Sequence, residues 1–197
     1  MSNEKSVSCR RKQGVIRFRV ELAGDFLLLL SLTWFFCGTA ALLSLLLAAA
    51  VHELGHAGAI LAQGDLPRSL RMDAGGLCIR CPPAKGESQE QLRVLAGPVS
   101  GLLLGALLCR SPMPFLRMIA LTSLSLSAVN LLPASCLDGG RLLYSVGARL
   151  FGVAWADGAA AVLDWACILL FALLGIRVRW GWLLWSAWLL YNRVVRN

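Results

Sequence analysis

Ala48-Ala49-Ala50-Val51-His52-Glu53-Leu54-Gly55-His56-Ala57-Gly58-Ala59-Ile60-Leu61 sets two imidazoles and a carboxylate inside an apolar run long enough to cross a membrane. His52 and His56 are the only histidines in the chain. Hydrocarbon offers a backbone no outside partner, so the run reads as helix. Residues four apart share a helix face, so His52 and His56 can ligate one ion together. Glu53, one residue round, can reach a water bound to that ion. Such groups are costly to bury in hydrocarbon, and a cluster of them there marks a functional site. The chemistry they suggest is zinc-activated hydrolysis.

The composition agrees with a membrane location. Of 197 residues, 57% are hydrophobic and only 15% charged, and the mean hydropathy is +0.67. A soluble domain of this length carries more charge. The apolar residues fall in long runs, which defines an all-α polytopic membrane protein. Six spans are expected, near 22–36, 39–62, 92–109, 114–132, 159–176 and 180–191. Cys37-Gly38-Thr39 offers a tight turn between the first two. The Gln63–Gln91 stretch is a polar loop, in which Arg71 to Ala74 and Gly76 to Ile79 are short enough for a small β-hairpin. Leu142 to Gly152 reads as a short amphipathic helix. The organisation expected is a basic arm over 1–20, one transmembrane domain over 21–192 and a short tail over 193–197. The basic start lacks a small-residue cleavage site, so no secretory leader is expected.

Charge placement sets the expected orientation. Arg10, Arg11, Lys12, Arg17 and Arg19 precede the first span, Arg68, Arg71, Arg80 and Lys85 follow the second, Arg141 and Arg149 follow the fourth, and Arg193 and Arg196 close the chain. Six spans put these groups on one side, and Arg110, Arg177 and Arg179 on the other. The positive-inside rule then makes both termini cytoplasmic, with His52 about two turns from the cytoplasmic end of its helix. The net charge of +8 reads as topology and contact with anionic lipid, with no nucleic-acid partner. Seven cysteines, an odd number, fall mostly in spans or on the cytoplasmic side, so disulfides are not expected. Cys78-Ile79-Arg80-Cys81 has metal-like spacing but lacks a second pair, and reads as two reduced thiols in a loop.

A catalytic zinc takes three protein ligands and keeps one position open. With no third histidine, the third is Asp, Glu or Cys, and Asp138 is the best placed. It lies in Asn130-Leu131-Leu132-Pro133-Ala134-Ser135-Cys136-Leu137-Asp138-Gly139-Gly140-Arg141, where Pro133 ends the fourth span. Gly139 and Gly140 are expected to permit turns closed to other residues. Asp164, in the fifth span, is expected to pair with Arg149 or reach solvent. Trp180, Trp182, Trp185 and Trp188 suit interfacial anchoring.

Three motifs in this order resemble the site-2 protease family of intramembrane zinc metalloproteases. They are the HExxH of His52 to His56, Ala96-Gly97-Pro98 at the head of the third span, and Asn130-x-x-Pro133 followed by Leu137-Asp138-Gly139. Gly75-Gly76-Leu77 resembles the family's loop strand. The short chain is most similar to the six-span branch typified by a sporulation enzyme that activates a membrane-tethered sigma factor. It departs from that branch in having six residues after Tyr191, so a C-terminal nucleotide-sensing domain is not expected, nor is an inserted PDZ domain. The resemblance implies a three-helix catalytic core, one Zn²⁺ held by His52, His56 and Asp138, Glu53 as general base, and Asn130 as the oxyanion donor. Asn130 can instead serve as a helix–helix hydrogen bond. The implied partners are a membrane-tethered protein substrate, the lipid bilayer and a regulatory membrane protein. Two rival classes are a catalytically silent client-binding pseudoprotease and a metal or proton transporter. The first would have lost Glu53 or Asp138; the second would string ionisable groups across the bilayer.

Overall fold

The computed structural model describes residues 19–73, 76–177 and 181–195. The basic arm before Arg19 lies outside them, as do the side chains of Cys78, Trp180 and Trp182. The elements run β1 (Arg19–Leu22), α1 (Gly24–Ala62), β2 (Ser69–Asp73), β3 (Gly76–Arg80), α2 (Glu87–Leu108), α3 (Pro114–Asn130), α4 (Asp138–Phe151), α5 (Val153–Arg177) and α6 (Gly181–Val195).

α1 is two spans joined at a hinge. Gly38 leaves the helical region, with φ 82° and ψ 172°. A straight helix of its 39 residues would be about 58 Å long. Yet Ala23, at its head, donates its backbone N–H to the Met72 carbonyl at 2.9 Å. Met72 follows the helix end by ten residues, a reach of at most about 36 Å. The chain therefore folds back at Gly38, where a tight turn is expected from Cys37-Gly38-Thr39. The Trp34 indole N–H, donated to the Thr39 hydroxyl at 3.0 Å, closes that turn.

The expected β-hairpin forms from β2 and β3, antiparallel, with Leu70 opposite Ile79 and Met72 opposite Leu77. β1 is an addition the sequence did not reveal. It pairs parallel with β2, Arg19 opposite Ser69 and Leu22 opposite Met72, and gives the order β1-β2-β3. The amphipathic helix also differs. It begins at Asp138, four residues earlier than expected, and Gly139 and Gly140 lie inside it with ordinary helical backbone.

Many large apolar side chains lie on the outside, and small or polar residues line the contacts among α1, α2 and α3. Leu28, Phe35, Phe36, Leu103, Leu107 and Ile176 are exposed, as lipid-facing residues are. α2 packs against α1, α3 and α4, and α5 pairs with α6. One face of α2 carries Gly97, Gly101 and Gly105, all buried. A Cβ at Gly101 would fall on the Ser127 hydroxyl, and one at Gly105 on the Leu124 side chain. Bare backbone thus lets α3 come close, as packing without a hydrophobic drive requires. Hydroxyls bind the same helices: Ser123 Oγ to the Gly101 carbonyl at 2.8 Å, Ser100 Oγ to the Val51 carbonyl at 3.0 Å, and Ser44 with Thr122 at 3.2 Å. Three helices are long and apolar enough to span a membrane, over Phe26–Ala62, Glu87–Leu108 and Val153–Arg177. With the fold of α1, this is a multi-pass membrane protein. The five cysteines described as free are Cys37, Cys81, Cys109, Cys136 and Cys167.

A side chain at Gly38 would be strained in a backbone region that is essentially glycine-only, by about 1–3 kcal/mol. Gly38→Val should lower the melting temperature of the detergent-solubilised protein. Gly58→Ala, where a Cβ meets nothing within 4 Å, should not.

Candidate metal centre

The second half of α1 carries His52 and His56 on one face, as their spacing requires. Asp138 arrives from 86 residues away, on the first turn of α4. There the helix N-terminus favours its negative charge. His52 is 4% exposed and Asp138 8%. His52 Nε2 lies 3.1 Å from Asp138 Oδ2, His56 Nε2 lies 3.3 Å from the same oxygen, and the two Nε2 atoms are 3.2 Å apart. The three atoms form a nearly equilateral triangle.

That triangle tests the donor set against a metal. Zinc bonds of about 2.0–2.1 Å in a tetrahedron give ligand-to-ligand edges of about 3.3–3.4 Å. The observed edges are within a few tenths of an ångström of one tetrahedral face. Two imidazoles and a carboxylate are also the ligand chemistry that catalytic zinc takes. These residues form the metal-competent group of His, Cys and acidic side chains found among the described residues.

Two of the three candidate ligands, His56 and Asp138, are braced from behind. His56 Nδ1 donates to the Arg93 carbonyl at 2.7 Å, which turns Nε2 toward the cluster, the tautomer control usual at metal sites. His56 rests on Gly97, where a Cβ would fall on the imidazole ring. Gly55 lies likewise against the Ala96 carbonyl and Ser100. The Ala96-Gly97-Pro98 motif is therefore a seat for α1. Behind Asp138, Gly139 and Gly140 are needed for space: Cβ atoms there would strike the Leu131 and Ala134 carbonyls. Buried Leu137 and Ala134 anchor the preceding loop among Cys167, Ile168, Phe171 and Leu189.

Glu53 is half-buried and within electrostatic reach of His56, Asp138 and Arg141. Arg141 crosses to Glu90 on α2 at 2.9 Å and comes within 4.0 Å of Asp138 Oδ1. Asn130, at the end of α3, gives its side-chain N–H to the Leu126 carbonyl of its own helix at 3.0 Å, so this bond joins no second helix.

Two polar groups have roles the sequence did not disclose. Asp164 is buried and accepts from the Ser135 backbone N–H and hydroxyl, both at 2.7 Å. Arg193 on α6 lies 3.3 Å away. This corrects the expected partner: Arg149 instead faces Glu87 at 3.5 Å. Arg93 is also buried, at the head of α2, and its guanidinium is enclosed by Gln63, Asp65, Cys81 and Pro82. A charge at a span end reads as an interfacial residue, and nothing in its neighbours predicts those contacts.

The fold and this site define a polytopic membrane protein in which His52, His56 and Asp138 could together hold a metal ion. Comparison with known proteins agrees. Residues 84–173 match the model described as Peptidase family M50, a stretch that contains Asp138 and begins after the two histidines. A curated zinc metalloprotease of Methanocaldococcus jannaschii is 29% identical over 138 residues, which cover 64% of this chain and 40% of the relative. The chain thus spans less than half the length of that relative. The solved site-2 protease from Methanocaldococcus jannaschii has the same fold, with a TM-score of 0.68, 22% identity and 86% of each chain covered. Over these stretches the chain is similar to Peptidase family M50 and to the solved site-2 protease. These matches do not bear on the sporulation branch.

Asp138→Asn replaces an anionic ligand by a neutral carbonyl oxygen and should strip the metal from the purified protein. Gly97→Ala should also lower metal content, by at least about tenfold in affinity, because it displaces His56. Asp157→Asn, whose carboxylate only accepts from the Tyr144 hydroxyl at 3.0 Å, should retain full stoichiometry by atomic absorption.

Proposed function

We propose that this chain is an intramembrane zinc-dependent endopeptidase. It cuts a membrane-tethered protein near the cytoplasmic end of its transmembrane segment and so releases a regulatory factor. The observation that carries this reading is the triangle of His52, His56 and Asp138 donor atoms, with Glu53 beside it and α1 around it. One Zn²⁺ bound there supplies a water acidified toward neutrality and a Lewis acid for the scissile carbonyl.

The chain's own residues do the rest. Glu53 takes a proton from the attacking water and returns it to the departing amine as the peptide C–N bond breaks. Asn130 would have to leave the Leu126 carbonyl to donate to the developing oxyanion. A substrate helix must unwind to expose a bond, since its peptide groups are engaged with one another. β3 lies at an edge of the sheet, and an extended substrate segment can join it as a further strand.

The pairings within the fold support a shared level for site and loops. β1 joins β2, Arg141 and Arg149 on α4 meet Glu90 and Glu87 at the head of α2, and Arg193 near the end of α6 meets Asp164. The basic groups therefore gather at one end of the bundle, with Arg110 and Arg177 at the other ends of α2 and α5. We assign the basic end to the cytoplasm, where anionic lipid favours it. Water then reaches the cluster from that side, past the Gln63–Gln91 and Pro133–Gly140 segments.

Glu53→Gln should keep its zinc, since no ligand is altered, and lose proteolysis of a co-expressed tethered substrate by about 10²–10⁴-fold, the worth of a general base. Activity near that of the parent would remove Glu53 from that role. Orientation can be read separately by thiol labelling in a cysteine-free background. Single cysteines replacing Lys85 and Asn197 should react only with reagent that enters the cytoplasm, and one replacing Ser111 should react from outside. External labelling at position 85 would invert the site.

A further inference from the structure

Arg93 belongs to none of the motifs that mark the site, yet its side chain ties α2 to two other segments. It is 4% exposed. Its Nε donates to Gln63 Oε1 at 2.6 Å. One terminal nitrogen donates to the Pro82 carbonyl at 2.8 Å and touches Cys81 Sγ at 3.6 Å. The other pairs with the Asp65 carboxylate. Gln63 in turn donates through Nε2 to the Gln89 carbonyl at 3.0 Å.

The positions of these partners matter. Gln63 and Asp65 are on the segment that leads into β2, and Cys81 and Pro82 are on the segment that leaves β3. The guanidinium therefore grips both stems of the hairpin at once. The same residue's backbone carbonyl accepts the Nδ1–H of His56 at 2.7 Å. One residue thus fixes the hairpin through its side chain and a metal ligand through its main chain. The planar guanidinium, with five donors in a fixed fork, is suited to such a junction, and a lysine is not.

We propose that Arg93 is a positioning residue that sets the register between the hairpin and the metal centre, so that a substrate segment paired to the hairpin presents one particular bond to Glu53. This rests on the endopeptidase reading for its consequence, but the clamp itself does not. A bond misplaced by one residue moves by about 3.3 Å in an extended strand, roughly the spacing of reacting atoms in a productive pose. A hairpin hinged freely on its stems would permit such slips.

The test separates side chain from main chain. Arg93→Ala and Arg93→Lys both keep the carbonyl that accepts from His56. Each variant is purified full-length, reconstituted in vesicles of phosphatidylcholine and phosphatidylglycerol, and assayed for zinc, hydrogen exchange and cleavage. The cleavage probe is a single-span peptide with a Leu/Ala helix interrupted by Gly near one end. Zinc stoichiometry should match the parent. Backbone amides over residues 66–82 should exchange at least about tenfold faster, the loss of one charge-assisted bond. The parent should cut the probe at one dominant bond, and Arg93→Ala should spread its cuts over neighbouring bonds with a raised KM.

Should Arg93→Ala fail to fold by leaving Asp65 buried and unpaired, the double variant Arg93→Met with Asp65→Leu removes both charges. It should melt near the parent while its hairpin exchanges fast. Unchanged exchange over residues 66–82, zinc lost together with the hairpin's protection, or an unchanged single cut would each overturn the proposal. A parent that holds zinc and cuts nothing would count against the endopeptidase reading alone, because the exchange measurement still decides the clamp.

Discussion

The contact of one Asp138 carboxylate oxygen with the Nε2 atoms of His52 and His56 imposes conditions on most of the molecule. A carboxylate buried in an apolar bundle is tolerated only when paired. To deliver it, the chain between α3 and α4 must leave the helix at the depth of the site. Every backbone group released there needs a partner. The Leu131 N–H finds the Ser127 carbonyl, the Leu132 N–H the Val129 carbonyl, and the Leu137 N–H the Ala134 carbonyl. The Ser135 N–H is met by the Asp164 carboxylate, which brings a second buried charge into the bundle and, with it, Arg193 from α6. One polar site has thus called up a chain of polar residues through α4, α5 and α6.

The apolar part of the design answers the same demand. Three close approaches are needed around the cluster: α1 on α2, α2 on α3, and the broken segment on α4. Each is made at glycine, respectively Gly55 with Gly97, Gly101 with Gly105, and Gly139 with Gly140. In lipid, close van der Waals contact must supply what water supplies elsewhere, so residues without side chains are placed where contact is closest.

The part of this that could be read from sequence was local. HExxH states its own geometry, because four residues are one helical turn and a little more. Asp138 stood out because a carboxylate follows a proline break in an apolar run. The hairpin at 71–79 and the hinge at Gly38 also have signals in their own residues. What escaped depends on distant partners. β1 is four residues long and pairs in parallel with a strand some fifty positions on, which no local pattern encodes. Asp164 reads as an interfacial charge, and Arg93 carries no local signal, until the residues enclosing them are in place. Gly139 and Gly140 were legible as special but not in which way. Their importance lies in the carbonyls packed against them and not in a turn, and a sequence displays conformational freedom more readily than crowding.

The distribution of polar groups along the bundle bears on the choice between hydrolysis and transport. A transporter must offer an ion successive sites across the hydrocarbon. Among the described residues, the ionisable groups of the core, His52, His56, Asp138, Asp164 and Arg93, lie on the half of the bundle that holds the sheet and α4. Toward the Gly38 turn the buried polar groups are hydroxyls, Ser44 and Ser123, each occupied by a bond to a backbone carbonyl or a neighbouring hydroxyl. A serine so engaged holds helices together and offers no relay for a proton and no charge for a cation. The buried ionisable groups therefore gather around the His-His-Asp triangle and do not continue toward the Gly38 turn. Ionisable groups gathered at one level suit a reaction carried out at a single site better than the stepwise passage of an ion.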